Sequence, residues 1–160
     1  MGRKMDLIDR NILDLLQADA SLSIAEIAKK VCLSQTPCWK RIQKLENLGI
    51  IKGRVALLDS KKLNLGLTVF VQLKTDKHDE RWLSKFAEAV RGMPEVVEVY
   101  RMAGEIDYLL RVVVSDTDSY DNFYKALIKK VPLNDVSSSF AMEEIKYTTA
   151  LPIKAPSEQF

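Results

Sequence analysis

The chain has 160 residues, of which 47% are hydrophobic and 29% are charged, with 6 glycines and 5 prolines. This composition excludes collagen-like, low-complexity and strongly disordered proteins, and the length fits one or two small domains. The formal net charge of +2 is too small to indicate a partner by itself. We expect neither a membrane-spanning helix, which needs an apolar run of roughly 18 residues, nor a secretory signal, because the N-terminal residues are charged.

The first part of the chain is predicted to be helical. Apolar residues at helical spacing indicate one amphipathic helix over residues 6–18. A Ser-x-x-Glu capping box then begins a short second helix over residues 23–31. Either Ser34 or Thr36 caps a third helix, which runs to about residue 48. The tight connection between the second and third helices predicts a helix-turn-helix.

The residues after the third helix are predicted to form a small β-hairpin. Two apolar segments, residues 50–51 and 55–58, flank a basic tip. A hairpin in this position gives the winged form of the helix-turn-helix. We therefore predict a winged helix-turn-helix domain over residues 1–59, followed by a linker over residues 60–66.

Basic residues are concentrated in this predicted domain. Residues 1–58 carry a net charge of +4, whereas residues 59–160 carry −2. The density is highest over residues 29–54, where seven basic residues and one acidic residue give +6. An isolated basic face is often only solvated, but one that surrounds a helix-turn-helix indicates binding to the DNA phosphate backbone.

The third helix is predicted to read DNA. Cys38, Ile42 and Leu45 follow helical spacing and are expected to face the core. Long amide and basic side chains on the other faces can reach phosphates and base edges in a major groove. The candidate DNA-binding residues on this helix and in the predicted wing are Gln35, Thr36, Trp39, Lys40, Arg41, Lys44, Lys52 and Arg54.

These candidates have different expected roles. Gln35 and Thr36 lie near the start of the helix and are candidates for base edges, whereas the basic side chains are expected to contact mainly phosphate. Two roles remain open for Trp39, because its indole can pack on the hairpin or lie against the sugar-phosphate backbone of DNA.

The second part of the chain alternates strands with helices. The predicted elements are a strand over residues 67–74, a helix over 79–91, strands over 96–102 and 108–114, a helix capped by residue 115, 116 or 117, and a strand over 136–142. Residues 144–147 extend the last strand or begin a fifth. The β-α-β-β-α-β order predicts an α+β, ferredoxin-like (ACT-like) sandwich within a second domain over residues 67–160.

One face of the predicted sheet has no helix to cover it. Phe70, and on the same reasoning Tyr100 and Met102, are expected on this face. Because an uncovered apolar sheet face usually packs on another subunit, we expect at least a dimer.

The chain has two cysteines and one histidine. Two cysteines do not make a disulfide framework, which fits a reducing cytoplasm. Cys38 is expected to be a small buried apolar residue, with a redox sensor as the alternative. His78 is expected to be a surface residue, with a zinc site or catalytic triad as the alternative, and we predict no metal site and no cofactor.

The motifs and their order resemble the Lrp/AsnC (feast/famine) family of bacterial and archaeal transcription factors. The resemblance covers residues 6–152 and rests on the segments DRNIL at 9–13, LSQTPC at 33–38, RIQKLENLGII at 41–51 and AGEIDYLL at 103–110. Within the family, the chain looks most like the cysteine-detoxification regulators, on the segments 38–41, 102–105 and 147–153.

The resemblance implies a sequence-specific DNA-binding regulator whose second domain senses a small amino acid. Such domains form homodimers that assemble further, often to octamers, and bind effectors between dimers near a Gly-x-x-Asp turn. Backbone N–H groups at Gly104 would receive the ligand carboxylate, and Asp107 or Glu105 would pair with its ammonium group. As the alternative to a ligand site, Gly104 and Asp107 are only the usual residues of an ordinary hairpin turn. The effector candidates are Met102, Gly104, Glu105, Asp107, Tyr108, Ser138, Thr148 and Thr149.

Cysteine, or another sulfur-containing or aliphatic amino acid, is the expected effector, and the expected location is the cytoplasm, on the nucleoid. A broad, nucleoid-associated architectural DNA-binding protein with little effector response is the alternative function. An enzyme is not expected, because the sequence shows no nucleophile–base pair and no glycine-rich phosphate loop.

Overall fold

The computed structural model describes residues 5–77 and 79–153. The chain divides into two compact units, one formed by the residues up to Leu57 together with those from Lys146 onward, and the other by Leu58–Ile145. This division lies close to the predicted end of the first domain. It differs at the C-terminal end, because the residues from Lys146 onward were expected in the second domain and belong to the first unit. His78 lies outside the described residues.

The first unit is built on three helices, α1 (Leu7–Ala18), α2 (Ile24–Lys30) and α3 (Gln35–Asn47). Each of the first two begins with a capping box, in which Asp6 or Ser23 accepts a hydrogen bond from the backbone N–H three residues later. Ser34 is the N-cap residue of α3, so the helix begins at the earlier of the two predicted positions.

Two left-handed residues end α2 and α3. Cys32 has a φ of 55° and Gly49 a φ of 68°. The N–H groups of Leu33 and Ile50 each donate to the carbonyl five residues earlier, with N to O distances of 2.9 and 3.0 Å. Both helices therefore end in the Schellman motif, which satisfies carbonyls that the helix leaves unpaired. The turn between α2 and α3 is thus fixed by backbone hydrogen bonds.

The predicted hairpin over residues 50–58 does not form, since the structure has no strand there. The physical reason is that the N–H groups of Ile50 and Ile51 both donate to the Leu45 carbonyl, at 3.0 and 3.2 Å. They complete the end of α3 and are not available to a β-ladder. The second predicted strand is mostly exposed, with 81% of Val55 and 74% of Leu58 accessible to solvent.

The core of the first unit lies between the three helices. Its buried residues are Ile12, Leu13, Ile27, Ala28, Val31, Cys38, Ile42 and Leu45. The predicted inward face of α3 is therefore confirmed. Burial raises the pKa of the Cys38 thiol, which keeps it protonated and favours the packing role over the redox role.

An ion-pair cluster joins α3 to α1. The Nη1 atom of Arg41 lies 2.7 Å from Oδ2 of Asp6 and 2.7 Å from Oδ1 of Asp9. The Asp9 side chain is only 3% exposed, whereas that of Asp6 is 51% exposed. Hydrogen bonds to Asp6 and Asp9 raise the pKa of Arg41. The cap hydrogen bond from the Asp9 N–H, together with Arg41, lowers the pKa of Asp6.

The second unit contains one sheet and two helices. Its elements are β1 (Leu67–Lys74), α4 (Glu80–Arg91), β2 (Val96–Arg101), β3 (Tyr108–Val114), α5 (Thr117–Lys130) and β4 (Asp135–Phe140). The strands lie in the order β2-β3-β1-β4, and every neighbouring pair is antiparallel. The predicted ferredoxin-like sandwich is confirmed. Residues 141–153 contain no strand, so the predicted extension or fifth strand at 144–147 is wrong.

The two helices pack on one face of this sheet. Alternate residues of β1 and β3 point into the core, and the most deeply buried are Val69, Val71, Leu73, Leu110 and Val112. Phe86 of α4 stacks on Trp82, with ring centroids 5.2 Å apart, and packs on Tyr108 of β3 at 4.6 Å. Aromatic pairs at these distances add to the stabilisation from burial alone.

The opposite face of the sheet is open in the described chain. Phe70 of β1 is 37% exposed and Tyr100 of β2 is 52% exposed, as predicted. Arg111 of β3 pairs with Phe70 in register, and its Nη2 atom lies 2.8 Å from Oε1 of Glu98. Although burial opposes it, hydrogen bonds from Arg111 and Tyr100 lower the pKa of Glu98. This open face therefore combines exposed aromatic rings with a charged pair. Separately, no described helix is both long and apolar enough to cross a membrane.

Replacing Arg41 with Met should lower the free energy of unfolding of the first unit by about 3–5 kcal/mol, because the buried Asp9 carboxylate loses its cation. Asp6→Asn is the matched control, since it breaks only the exposed pair and retains a good N-cap residue. Its expected cost is below about 1 kcal/mol. Denaturant unfolding followed by helix circular dichroism measures both. Equal costs for the two variants would contradict the role assigned to Asp9.

Candidate functional site

The exposed surface of α3 carries most of the predicted DNA-binding residues. Gln35, Thr36, Trp39 and Lys40 are all exposed, and Lys44 is half-buried. Trp39 is 49% exposed, and the hairpin that was one of its two alternative partners does not form. The structure therefore leaves the indole open to a partner molecule. A helix that presents amide, hydroxyl, indole and ammonium groups together can contact both base edges and phosphates.

Arg41 occupies a different position from the one predicted. It belongs to α3, but its guanidinium is held by the carboxylates of Asp6 and Asp9 at 2.7 Å. Both ion pairs use Nη1, so this atom of Arg41 positions α3 against α1 and is not available to a phosphate. Sequence reasoning missed the two aspartates because they lie 35 and 32 residues before Arg41, and no motif in the sequence pairs them with it. The one signal was the position of Asp9 three residues after the N-cap.

The two predicted wing residues, Lys52 and Arg54, also differ in whether their charge is free to contact DNA. Lys52 is exposed. Arg54 has its Nη2 atom 2.9 Å from Oε1 of Glu46 on α3, although its side chain remains 45% exposed. Lys52 thus extends the basic surface of α3, whereas Arg54 is partly neutralised by the acidic residue within that basic stretch.

A second group of predicted residues lies at the turn between β2 and β3. Gly104 has a φ of 129°, a conformation that L side chains rarely adopt. A Cβ atom at Gly104 would meet no other atom within 4 Å, so the glycine is needed for its backbone conformation. Glu105 is exposed at the same turn. The turn is therefore open around Gly104 and carries an exposed carboxylate.

Asp107 fixes this turn to the neighbouring strand. Its Oδ2 atom accepts a hydrogen bond from the Thr75 N–H at 2.8 Å, and its own N–H donates to the Leu73 carbonyl at 2.9 Å. The Met102 N–H in turn donates to the Asp107 carbonyl at 2.8 Å. One carboxylate oxygen of Asp107 is thus used within the fold, which leaves Glu105 as the more accessible partner for an ammonium group.

Tyr108 and Ser138 do not join the turn. The Tyr108 side chain is buried, 5% exposed, and lines a groove of about 350 Å³ between α4 and β2 together with Leu83, Val90 and Val99. Ser138 pairs in register with the core residue Val71 and its hydroxyl is hydrogen bonded to that of Tyr120. Both side chains therefore lie on the helix side of the sheet, and their prediction as effector contacts is not supported by this placement.

The remaining effector candidates are distributed differently. Met102 is 39% exposed just after β2. Thr148 and Thr149 are exposed but belong to the first unit, and the Thr148 hydroxyl accepts a hydrogen bond from the Ala150 N–H at 3.1 Å. The described chain thus brings Met102, Gly104, Glu105 and Asp107 together at one turn. Nowhere in residues 5–77 and 79–153 do three or more potential metal ligands cluster.

Comparison with known proteins assigns both units. Residues 5–46 match the AsnC-type helix-turn-helix domain, and residues 68–151 match the Lrp/AsnC ligand binding domain. The chain is 56% identical over 151 residues to the DNA-binding transcriptional activator DecR of Escherichia coli K12, covering 94% of this chain and 99% of that protein. It is 48% identical over 159 residues to the glutamate uptake regulatory protein of Zymomonas mobilis, covering 99% and 97%.

Solved structures show the same similarity. An AsnC family transcriptional regulator from Agrobacterium tumefaciens has 59% sequence identity and a TM-score of 0.90, covering 92% of this chain and 97% of that one. The transcriptional regulator NMB0573 of Neisseria meningitidis, solved as an L-Met complex, has 35% identity and a TM-score of 0.88, covering 93% and 97%. These relatives are transcriptional regulators, not enzymes. The chain belongs to the Lrp/AsnC family of DNA-binding transcriptional regulators.

Proposed function

We propose that this regulator binds specific DNA sites through the exposed face of α3, and that a small amino acid bound at the turn after β2 controls its assembly and DNA affinity. The observation that carries the first part is the cluster of exposed polar and basic side chains on α3, held in place by Arg41. Because its target is chromosomal DNA, we place the protein in the cytoplasm.

The phosphate contacts in this proposal come from Lys40, Lys44 and Lys52. Each ammonium group that neutralises a phosphate releases condensed counterions, so affinity falls with salt concentration. Gln35 and Thr36, at the exposed start of α3, are placed on base edges. Arg41 takes the role of a positioning residue. Trp39 is assigned to the sugar-phosphate backbone, because half of its surface is exposed.

Changing Lys44 to Ala should weaken binding to all DNA sequences and reduce the slope of log affinity against log salt by about 0.9, the value of one phosphate contact. Lys85→Ala, on the exposed side of α4, is the control and should leave the slope unchanged. Fluorescence anisotropy at several salt concentrations measures both. Identical slopes in wild type and Lys44→Ala would remove Lys44 from the interface.

Footprinting at physiological salt tests the specificity of this binding. A discrete protected site on genomic fragments is expected if Gln35 and Thr36 read base edges. Uniform protection of all fragments would favour the architectural alternative, in which the same basic surface packs DNA without reading its sequence.

The open face of the sheet is assigned to a second copy of the chain. Phe70 and Tyr100 are exposed there, and the ion pair between Arg111 and Glu98 lies between them. Two copies of this face would bury the aromatic rings and surround the charged pairs with polar groups. Apolar surface that is removed from water contributes roughly 25 cal/mol per Å². The predicted octamer would require further contacts between such dimers.

Phe70→Lys should dissociate this dimer, because each interface would bury two additional ammonium groups. Ile128→Lys is the control, since Ile128 is a comparably exposed apolar residue of α5, at 43%, on the helix side of the unit. Light scattering at micromolar concentration should show a dimer or larger for wild type and control, and monomer for Phe70→Lys. A monomeric wild type, or an unchanged Phe70→Lys, would contradict the assignment.

The amino-acid site is assigned to Gly104 and Glu105. The backbone N–H groups of the turn bind the ligand carboxylate, and Glu105 pairs with the ammonium group. The L-Met complex of the Neisseria relative supports a sulfur-containing or aliphatic amino acid. The resemblance to cysteine-detoxification regulators adds L-cysteine to the first ligands to test.

A thermal-shift panel of the common amino acids at millimolar concentration should identify at least one that raises the Tm of the wild type, since a ligand that binds only the folded state stabilises it. Glu105→Gln should reduce that shift, because a neutral amide can accept a hydrogen bond from the ammonium group but forms no ion pair with it. Glu88→Gln, on α4, should preserve it. The site assignment fails if no amino acid shifts the Tm, or if Glu105→Gln responds like the wild type.

A further inference from the structure

The segment that follows the second unit is bound to α1. The Gln17 side chain makes two hydrogen bonds to the backbone of Leu151, accepting from its N–H at 2.6 Å and donating to its carbonyl at 3.2 Å. Arg10 donates to the Ile153 carbonyl at 3.3 Å. Gln17 and Arg10 are seven residues apart and so lie on the same face of α1. They hold the backbone of residues 151–153 against that face, where the Ile153 N–H also donates to the Leu151 carbonyl at 2.9 Å and closes a tight turn.

Apolar packing adds a second attachment. The Ile153 side chain packs against the buried cluster of the first unit, while Leu151 remains 69% exposed. The contact therefore combines backbone recognition by Gln17 with an apolar anchor two residues later. Its two parts use different physical interactions and can be removed separately.

The path of the chain means that this contact adds a second connection between the two units. The chain enters the second unit at Leu58 and leaves it after Ile145, and the residues from Lys146 onward again belong to the first unit. Two chain segments therefore connect the units. A domain on one flexible linker rotates freely within the reach of that linker, whereas a second attachment removes part of this freedom.

We propose that residues 146–153 form a strap that restrains the DNA-binding unit, so that the assembled protein discriminates between half-site spacings on DNA. This inference rests on the proposed function, since it requires two DNA-binding units in one assembly. When two sites are linked, the second binding event depends on effective concentration, which is high only if the linked units can reach both sites. The docked strap narrows the range of spacings that satisfies this condition.

Release of the strap can be tested in the full-length chain by two independent substitutions. Gln17→Leu removes both hydrogen bonds to Leu151, and Ile153→Asp removes the apolar anchor. Asn11→Ala, at an exposed position of α1, is the control. Amide hydrogen exchange at positions 151 and 153 should accelerate at least tenfold in the first two variants and remain unchanged in the control. Wild-type exchange rates in both strap variants would show that the segment is not held by these contacts, and would overturn the proposal.

The effect on DNA recognition is measured with two half-sites taken from the wild-type footprint. They are placed in phase, or with 5 base pairs added, which is about half a helical turn. Wild type and Asn11→Ala should prefer the in-phase DNA, and the preference should fall at least fivefold in Gln17→Leu and Ile153→Asp. Circular dichroism melts confirm that each variant is folded. If only one of the two strap variants folds, that variant alone is enough to test the proposal.

The outcomes separate the strap from the proposed function. If a variant with a released strap keeps the wild-type phase preference, the strap proposal is wrong, while the proposed DNA binding is unaffected. A dimeric wild type that binds a single half-site without any phase preference also overturns the strap. A wild type that is monomeric, or that protects no discrete site, contradicts the proposed function itself, and then any accelerated exchange reports only on packing of the segment against α1.

Discussion

The orientation of α3, the helix proposed to contact DNA, depends on the pairing of one guanidinium with a buried carboxylate. Asp9 is almost fully enclosed between α1 and α3, and an ionised carboxylate at that depth is stable only when a cation and hydrogen-bond donors satisfy it. Arg41 supplies the cation from α3. Because Asp6 binds the same guanidinium and also caps α1, the start of one helix and the middle of the other are fixed together. The exposed side chains of α3 are therefore presented from a helix with little freedom to rotate.

The second unit separates its tasks between the two faces of a single sheet. The helix side holds the aromatic stack of Trp82, Phe86 and Tyr108, which makes that side a closed core. The open side keeps rings and charges accessible for another molecule. The turn after β2 lies at the end of the sheet, where hydrogen bonds through Asp107 connect it to β1. The proposed assembly and the proposed ligand binding would thus use different parts of the unit without disturbing its core.

Patterns in the sequence were sufficient to predict the five helices and four strands of the described residues. The helices, β1 and β3 each bury a regular face, whereas the edge strands β2 and β4 have at most half-buried residues. Periodicity gave a wrong prediction where a backbone N–H group has a hydrogen-bond acceptor outside the predicted element. Ile50 and Ile51 look like a strand, yet their N–H groups are taken by the end of α3.

Side-chain direction was the second weakness of the sequence reasoning. Arg41 lies on the flank of α3, and its side chain is long enough to reach either solvent or α1. The ion pair with Asp9 determines that it points towards α1. Ser138 could have been assigned correctly, since strict alternation with its neighbours places it on the core side of β4. The docking of residues 151–153 on α1 had no signal, because three residues carry no periodicity.

The hydrogen bonds through Asp107 hold the turn around Gly104, the proposed amino-acid site, by contacts within the chain itself. Ordering a loop on binding costs conformational entropy that must be subtracted from the affinity. A ligand that binds a preformed turn avoids that cost, and it also meets walls that do not adjust to it. Such a turn favours selectivity by shape over breadth, so that two amino acids differing by one methylene group are distinguished by how well they fit and not by how far the loop can follow them.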